Sequence, residues 1–89
     1  MIEVAFSSSF KRAFKKKMER NKELEKILWE KLEEFTEDPF AKELKTHKLT
    51  GKLKDLWSFS LGYGLRVIFF FVEDNKVVLV DIGTHEEVY

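Results

Sequence analysis

Apolar side chains recur at helical spacing through the first half of the chain and predict two amphipathic helices. The first stripe follows N-cap candidates at residues 7–9 and consists of Phe10, Ala13, Phe14 and Met18. The second follows a break at residues 21–22 and consists of Leu24, Ile27, Leu28, Leu32 and Phe35. It must end near Asp38, because Pro39 disfavours helical geometry in the residue before it. Helices joined this closely are expected to form an antiparallel hairpin.

An alternation of period two predicts β-strands at the start of the chain and throughout its second half. Residues 1–6 are predicted to form a short strand, and another short strand is expected near residues 46–49. Three longer strands are predicted at residues 56–61, 65–72 and 77–82. A turn at residues 62–64 and a loop at residues 73–76 join these three into a meander.

The order β-α-α-β-β-β predicts an α+β fold in a single domain that covers residues 1–89. The helical hairpin should pack on one face of a mostly antiparallel sheet of four or five strands. Strict alternation in the last strand puts Val78, Val80 and Ile82 on one side, and Val77, Leu79 and Asp81 on the other. The wholly apolar strand faces are expected to point at the helices. The mixed faces, which carry Ser58, Ser60, Arg66, Asp81 and His85, are then expected to point away.

Composition narrows the class of protein. With 44% hydrophobic and 36% charged residues, the chain is that of a soluble globular domain. It has no cysteine, which excludes disulfides, thiolate zinc sites and a thiol nucleophile, and suits the reducing cytoplasm. Two histidines are too few for a three-histidine metal site, and neither a metal nor a small-molecule cofactor is expected. No signal peptide is expected, and the longest apolar run, residues 67–72, is too short to span a membrane.

The net charge of zero conceals charged blocks of alternating sign. Residues 1–22 carry +5, residues 23–43 carry −5, residues 44–66 carry +4 and residues 67–89 carry −4. The two basic segments are able to form a positive surface suited to phosphates. Alternatively, the blocks neutralise one another in the folded chain.

Arg66 is the first candidate for chemistry, because it interrupts a strand of apolar residues. A buried, unpaired guanidinium is very costly. Arg66 must therefore pair with a carboxylate such as Asp81, or face an open site where its planar donors bind an anion.

Two histidines and a group of lysines complete the candidate chemistry. His85 follows the last strand, and an imidazole is able to exchange a proton near neutral pH, although a single surface histidine is often idle. His47 lies in a basic loop whose lysines can contact phosphates: Lys45, Lys48, Lys52 and Lys54. Cleavage of RNA by in-line attack of a 2′-hydroxyl needs a base, an acid and a cation. It needs neither a metal nor a protein nucleophile.

Several segments together resemble a known family. The runs "HKLTGKL", "LRVIF" and "GTHEEVY", preceded by "FSSSFKRAFKK" and a second helix ending in "DPF", are similar to RelE/StbE-type toxins of the RelE/ParE superfamily. The similarity is greatest to the YafQ-like branch and covers nearly the whole chain. It implies the RelE-like microbial RNase fold and a toxin of a type II toxin–antitoxin pair. Such a toxin cuts mRNA in the A site of the 70S ribosome and is neutralised by a cognate antitoxin protein.

The resemblance also implies roles for individual residues. His47 and His85 match catalytic histidines, one acting as the general base and the other as the general acid. The resemblance does not say which histidine has which role. Arg66 matches the arginine that contacts the scissile phosphate, and Tyr89 matches an aromatic residue that can stack on or orient a nucleobase. RNA-binding residues are expected among the lysines of the basic loop and at Ser58 and Ser60, where some relatives carry lysines.

Other interpretations of the surface residues stay open. Trp29 either extends the apolar edge of the second helix or contacts the antitoxin. The basic first helix, with Lys11 and Lys15, is either a solvated face or a contact for the antitoxin or ribosomal RNA. Within the superfamily, the alternatives are a ParE-like toxin that poisons DNA gyrase and a catalytically inert antitoxin-binding module.

Overall fold

The computed structural model describes residues 1–51 and 55–89, and three α-helices lie within that part of the chain. They are α1 (Ser8–Met18), α2 (Lys22–Glu37) and the single turn α3 (His85–Val88). The Ser7 hydroxyl caps α1 by accepting a hydrogen bond from the Phe10 N–H at 3.0 Å. Asn21 caps α2 in the same way, and Asp38 ends it before Pro39, as predicted.

Five strands in the described residues form one sheet of order β1-β5-β4-β3-β2. They are β1 (Glu3–Phe6), β2 (His47–Lys48), β3 (Trp57–Gly62), β4 (Leu65–Glu73) and β5 (Lys76–Thr84). The edge strand β1 runs parallel to β5, and the other neighbours are antiparallel. A 3₁₀ turn at Lys42–Leu44 leads from the helices into β2. The predicted α+β fold is confirmed.

The hydrophobic core lies between the helices and one face of the sheet. Phe35 of α2 stacks on Phe59 with ring centroids 4.7 Å apart, and meets Phe69 edge-on at 5.0 Å. The stripe residues of both helices pack into this core, as predicted, with the exception of Ile27. Burial of the apolar stripes is the main source of stability for helices of this length.

The faces of β5 differ from the prediction of strict alternation. Val77 and Leu79 are fully buried in the core together with Ile82, whereas Val78 and Val80 are only half-buried. The reason is an irregularity in the β4–β5 pairing, where Phe69 pairs with Leu79 but the preceding Ile68 pairs with Asp81. The extra residue, Val80, inverts the alternation, so that Asp81 still points away from the helices.

The end of the chain is more ordered than the sequence pattern indicates. β5 continues to Thr84 rather than ending at Ile82, and α3 follows it at once.

In the part of the chain that the structure describes, none of the helices has the length and apolar character needed to cross a bilayer.

Candidate active site

Helix α3 lies on the sheet face opposite the core and packs against β4 and β5. Ile68 is on this face, because its cross-strand neighbours are Ser58 on one side and Asp81 on the other. It is nevertheless only 2% exposed. The face that the sequence predicts to be open is therefore partly covered.

The last aromatic residue reaches across this face. The Tyr89 hydroxyl lies 2.6 Å from the Ser58 hydroxyl of β3, so the end of α3 crosses β4. The rings of His85 and Tyr89 meet edge to face with centroids 4.2 Å apart. Where the sequence predicts an RNA contact at an open Ser58, the structure buries this residue completely and engages its hydroxyl.

His47 belongs to the same region of the sheet. It pairs with Ser58 in the β2–β3 ladder, and paired residues project to the same face. Its side chain is exposed, and its Nδ1 lies 3.0 Å from the Lys45 carbonyl oxygen. Because a carbonyl only accepts, Nδ1 is the donor, and a neutral His47 then keeps its lone pair on Nε2.

Arg66 also projects to this face, two residues before Ile68 on β4. It pairs with Ser60 on one side and Gly83 on the other, and is half-buried. Among residues 1–51 and 55–89, no carboxylate forms an ion pair with it. Asp81, the partner that the sequence suggests, accepts a hydrogen bond from the Ile82 N–H at 2.8 Å. Of the two alternatives for Arg66, the structure therefore shows the guanidinium without a carboxylate partner.

The basic loop is only partly associated with this face. Lys45 is exposed beside His47, but Lys48 pairs with Trp57 and so projects from the helix side of the sheet. Lys52 and Lys54 lie outside the described residues. Ser60 is half-buried, and its hydroxyl accepts a hydrogen bond from the Gly62 N–H at 3.0 Å.

A group of contacts that the sequence analysis missed holds α3 in place. Thr84 and Glu87 form a capping box, and Lys17 of α1 donates to the Glu87 carboxylate. The Lys17 contact and the Thr84 N–H together hold the pKa of Glu87 at about 2, below its usual 4.5. The spacing "THEE" is a capping-box signal visible in the sequence, whereas the contact with Lys17 is not.

Comparison with protein families gives a match over almost the whole chain. The family described as "Bacterial toxin of type II toxin-antitoxin system, YafQ" matches residues 2–89. This chain belongs to the YafQ family of toxins. A comparison with curated protein sequences gives no match.

Solved structures of other toxins resemble this YafQ-family member throughout their length. YafQ from E. coli has a TM-score of 0.74 and 19% identity, covering 100% of this chain and 99% of that one. A metal-bound toxin from Helicobacter pylori has a TM-score of 0.79 and 27% identity, with complete coverage of both chains. The YoeB–YefM complex from Staphylococcus aureus has a TM-score of 0.74 and 21% identity, covering 96% and 98%.

Candidate metal ligands are not clustered in the described part of the YafQ-family chain. No group of three or more His, Asp or Glu side chains there is placed to hold an ion. The two histidines of the site instead have a backbone carbonyl and an aromatic ring as neighbours.

A second surface of this YafQ-family toxin is apolar and lies beside basic residues. Trp29 is 44% exposed and packs against Phe6 and Phe14, with ring centroids 6.3 and 5.7 Å away. These three aromatic residues and Lys11 line a shallow cavity of about 220 Å³. Lys15 is exposed one turn further along α1. Trp29 thus extends the apolar edge of α2 and also remains accessible.

Proposed function

We propose that this YafQ-family toxin is an endoribonuclease that cuts mRNA in the ribosomal A site and that a cognate antitoxin protein neutralises it. The observation that carries the proposal is the common face of His47, Arg66, His85 and Tyr89. An acid, a base and a cation on one face are the groups that transesterification of RNA requires.

In the proposed reaction, one histidine removes the proton of a ribose 2′-hydroxyl, and the 2′-oxygen attacks the adjacent phosphorus in line. The bond from phosphorus to the 5′-oxygen breaks, and the other histidine protonates that oxygen. The products are a 2′,3′-cyclic phosphate and a 5′-hydroxyl. Arg66 stabilises the charge that develops on the phosphorane oxygens, and no carboxylate in the described residues competes for it.

The hydrogen bond of His47 supports its assignment as the general base. Its Nδ1–H is directed to the Lys45 carbonyl, so the neutral ring presents Nε2 to accept a proton. His85 is then the general acid. Tyr89, beside the His85 ring, orients this group and contributes a face on which a nucleobase can stack.

The neighbouring polar residues bind the RNA backbone in this proposal. Lys45, exposed beside His47, acts as a point charge toward a phosphate, whereas Lys48 projects from the other side of the sheet and is not assigned to the RNA. The RNA contacts of Lys52 and Lys54 stay predictions from the sequence. Ser60 contacts the RNA strand at the edge of the site. Ser58 contributes indirectly, because its hydroxyl holds Tyr89.

Expression of the chain in bacteria tests the reaction. Growth arrest with mRNA cut at codon positions, lost in His85→Ala but kept in the neighbouring Glu86→Ala, supports the endoribonuclease. Arrest that survives His85→Ala and brings a DNA-damage response indicates a gyrase poison instead. Absence of arrest in every variant indicates an inert antitoxin-binding module.

Purified components test the dependence on the ribosome. The toxin should cut a defined mRNA only when 70S ribosomes are translating it, and at positions set by the reading frame. Equal cleavage of free RNA contradicts the ribosomal part of the proposal but leaves the nuclease chemistry in place.

The antitoxin is proposed to contact the apolar surface around Trp29, with Lys11 and Lys15 pairing with acidic side chains. The YoeB–YefM complex is a precedent for a toxin of this fold in a complex. Trp29→Ala should weaken binding of the cognate antitoxin by about 2 kcal/mol or more. Phe40→Ala is a matched control, because Phe40 is 56% exposed but packs against Trp57 instead. Equal loss of binding in both variants rejects this surface.

A further inference from the structure

We infer that Lys17 and Glu87 are positioning residues that hold α3 across the sheet, so that His85 and Tyr89 lie over the RNA-binding face. Their effect on catalysis rests on the endoribonuclease activity proposed above. Neither residue is assigned to the chemistry itself, because Lys17 belongs to α1 and the Glu87 carboxylate is engaged by Thr84 and Lys17. The inference stands on the contacts of α3 with the rest of the molecule.

Helix α3 is too short to be stable alone. It has four residues and buries none of them completely, and helices of this length do not form without external contacts. Its two ends are attached in different ways. The Tyr89 hydroxyl meets Ser58 at one end, and Glu87 meets Thr84 and Lys17 at the other.

Glu87 makes the connection between α3 and the body of the protein. Its Oε1 accepts a hydrogen bond from the Thr84 N–H at 2.8 Å, and its own N–H donates to the Thr84 hydroxyl at 3.3 Å. The same oxygen accepts from the Lys17 ammonium group of α1. Because α1 packs on β5, the Lys17 contact attaches α3 to the main body of the fold and not only to its flanking residues.

Close packing at Gly83 makes the position of α3 sensitive to these contacts. An added Cβ at Gly83 would lie 3.0 Å from both Glu87 Oε1 and Val88 Cγ1. The Glu87 side chain therefore lies directly against the β5 backbone opposite Arg66. If Lys17 no longer restrains it, α3 is free to shift, and His85 shifts with it because it is the first residue of that turn.

The test measures the position of His85 separately from catalysis. The ring of Tyr89 shifts the NMR resonances of the His85 imidazole, which lies 4.2 Å away between centroids. Lys17→Met keeps the aliphatic stem but removes the charge, and should move these resonances toward those of an unstructured peptide. It should also lower kcat roughly tenfold or more, with a smaller change in KM, because misplaced catalytic groups affect the chemical step.

Three further variants separate positioning from a general loss of stability. Lys17→Arg should restore both the resonances and kcat, and Glu87→Gln should act like Lys17→Met. Lys26→Met is the control, because Lys26 is exposed on α2 and forms no ion pair in the described residues. Unchanged His85 resonances in both Lys17→Met and Glu87→Gln, or an equal change in Lys26→Met, overturns the inference. Absence of cleavage by the unsubstituted toxin rejects the proposed nuclease, and the resonances then decide the positioning role alone.

Discussion

The Tyr89 hydroxyl lies 2.6 Å from the Ser58 hydroxyl, a contact between residues 31 positions apart in the chain. It brings the end of α3 to β3, where Ser58 pairs with His47 of β2. The Tyr89 ring also contacts that of His85, so Tyr89 links His85 to the strand residue that pairs with His47. This contact assembles the face to which we assign RNA cleavage.

Loss of this contact should lower the free energy of unfolding. Ser58→Ala and Tyr89→Phe each remove one hydroxyl and leave the other without its partner, which should cost about 1–3 kcal/mol. The double variant should lose less than the sum of the two, because both single variants disrupt the same interaction. Urea unfolding of the four proteins measures this coupling. Strict additivity would contradict a direct contact.

Arg66 should contribute to the rate rather than to the fold. Arg66→Ala removes the cation assigned to the phosphorane and should raise the barrier by about 2.7–4 kcal/mol, judged by the loss of one charge-stabilising donor. Arg66→Lys keeps a charge without the planar fork and should recover only part of the rate. Single-turnover cleavage on ribosomes provides the measurement. Full activity of Arg66→Ala would show that the residue is structural.

Gly83 should tolerate no side chain while α3 is in place. Gly83→Ala puts a Cβ 3.0 Å from Val88 Cγ1 and should destabilise the protein by about 1–3 kcal/mol through overpacking. Val88→Ala in the same chain removes the Val88 Cγ1 atom that the new Cβ would meet, and should recover part of that loss of stability. Thermal unfolding of the single and double variants checks this relief. A harmless Gly83→Ala would show that α3 is not held against β5.

Acid should weaken the attachment of α3. The Lys17 hydrogen bond and the Thr84 N–H depress the pKa of Glu87 to about 2 from 4.5, so the unfolded chain binds the proton more readily. The stabilisation is complete above about pH 4.5 and disappears as the pH falls through 2. The slope of unfolding free energy against pH in this window should decrease in Glu87→Gln. Glu86→Gln, an exposed neighbour, should retain the slope of the unsubstituted protein.

The β3–β4 turn carries a removable strain. Tyr63 and Gly64 both have positive φ, at 56° and 75°, which is typical of two-residue hairpin loops that favour Asn-Gly. Tyr63 is 81% exposed, so its ring contributes little packing. Tyr63→Asn should stabilise the protein by roughly 1 kcal/mol, the lower end of the cost of this conformation for an ordinary residue. Tyr63→Val should destabilise it, and the reverse order would contradict the strain.

Much of the fold follows from local patterns in the sequence. The apolar stripes predict α1 and α2, and Pro39 determines where α2 ends. The alternation of period two predicts β3 and β4 and the side of each strand that points into the core. In β5 the same rule fails after Leu79, since an irregularity at Val80 satisfies the pairing with β4 and inverts the faces. No residue type marks that position.

The sequence by itself determined the α+β fold, the family and the residue types available for chemistry, because periodicity, turns and ordered motifs are local properties of the chain. Only the tertiary structure decided that Ser58 is buried beneath Tyr89, that Lys48 projects from the other side than His47, and that Lys17 holds Glu87. These relationships depend on strand register and on side chains that meet across 31 to 70 positions. Such contacts arise from packing the whole domain at once, and local spacing carries no record of them.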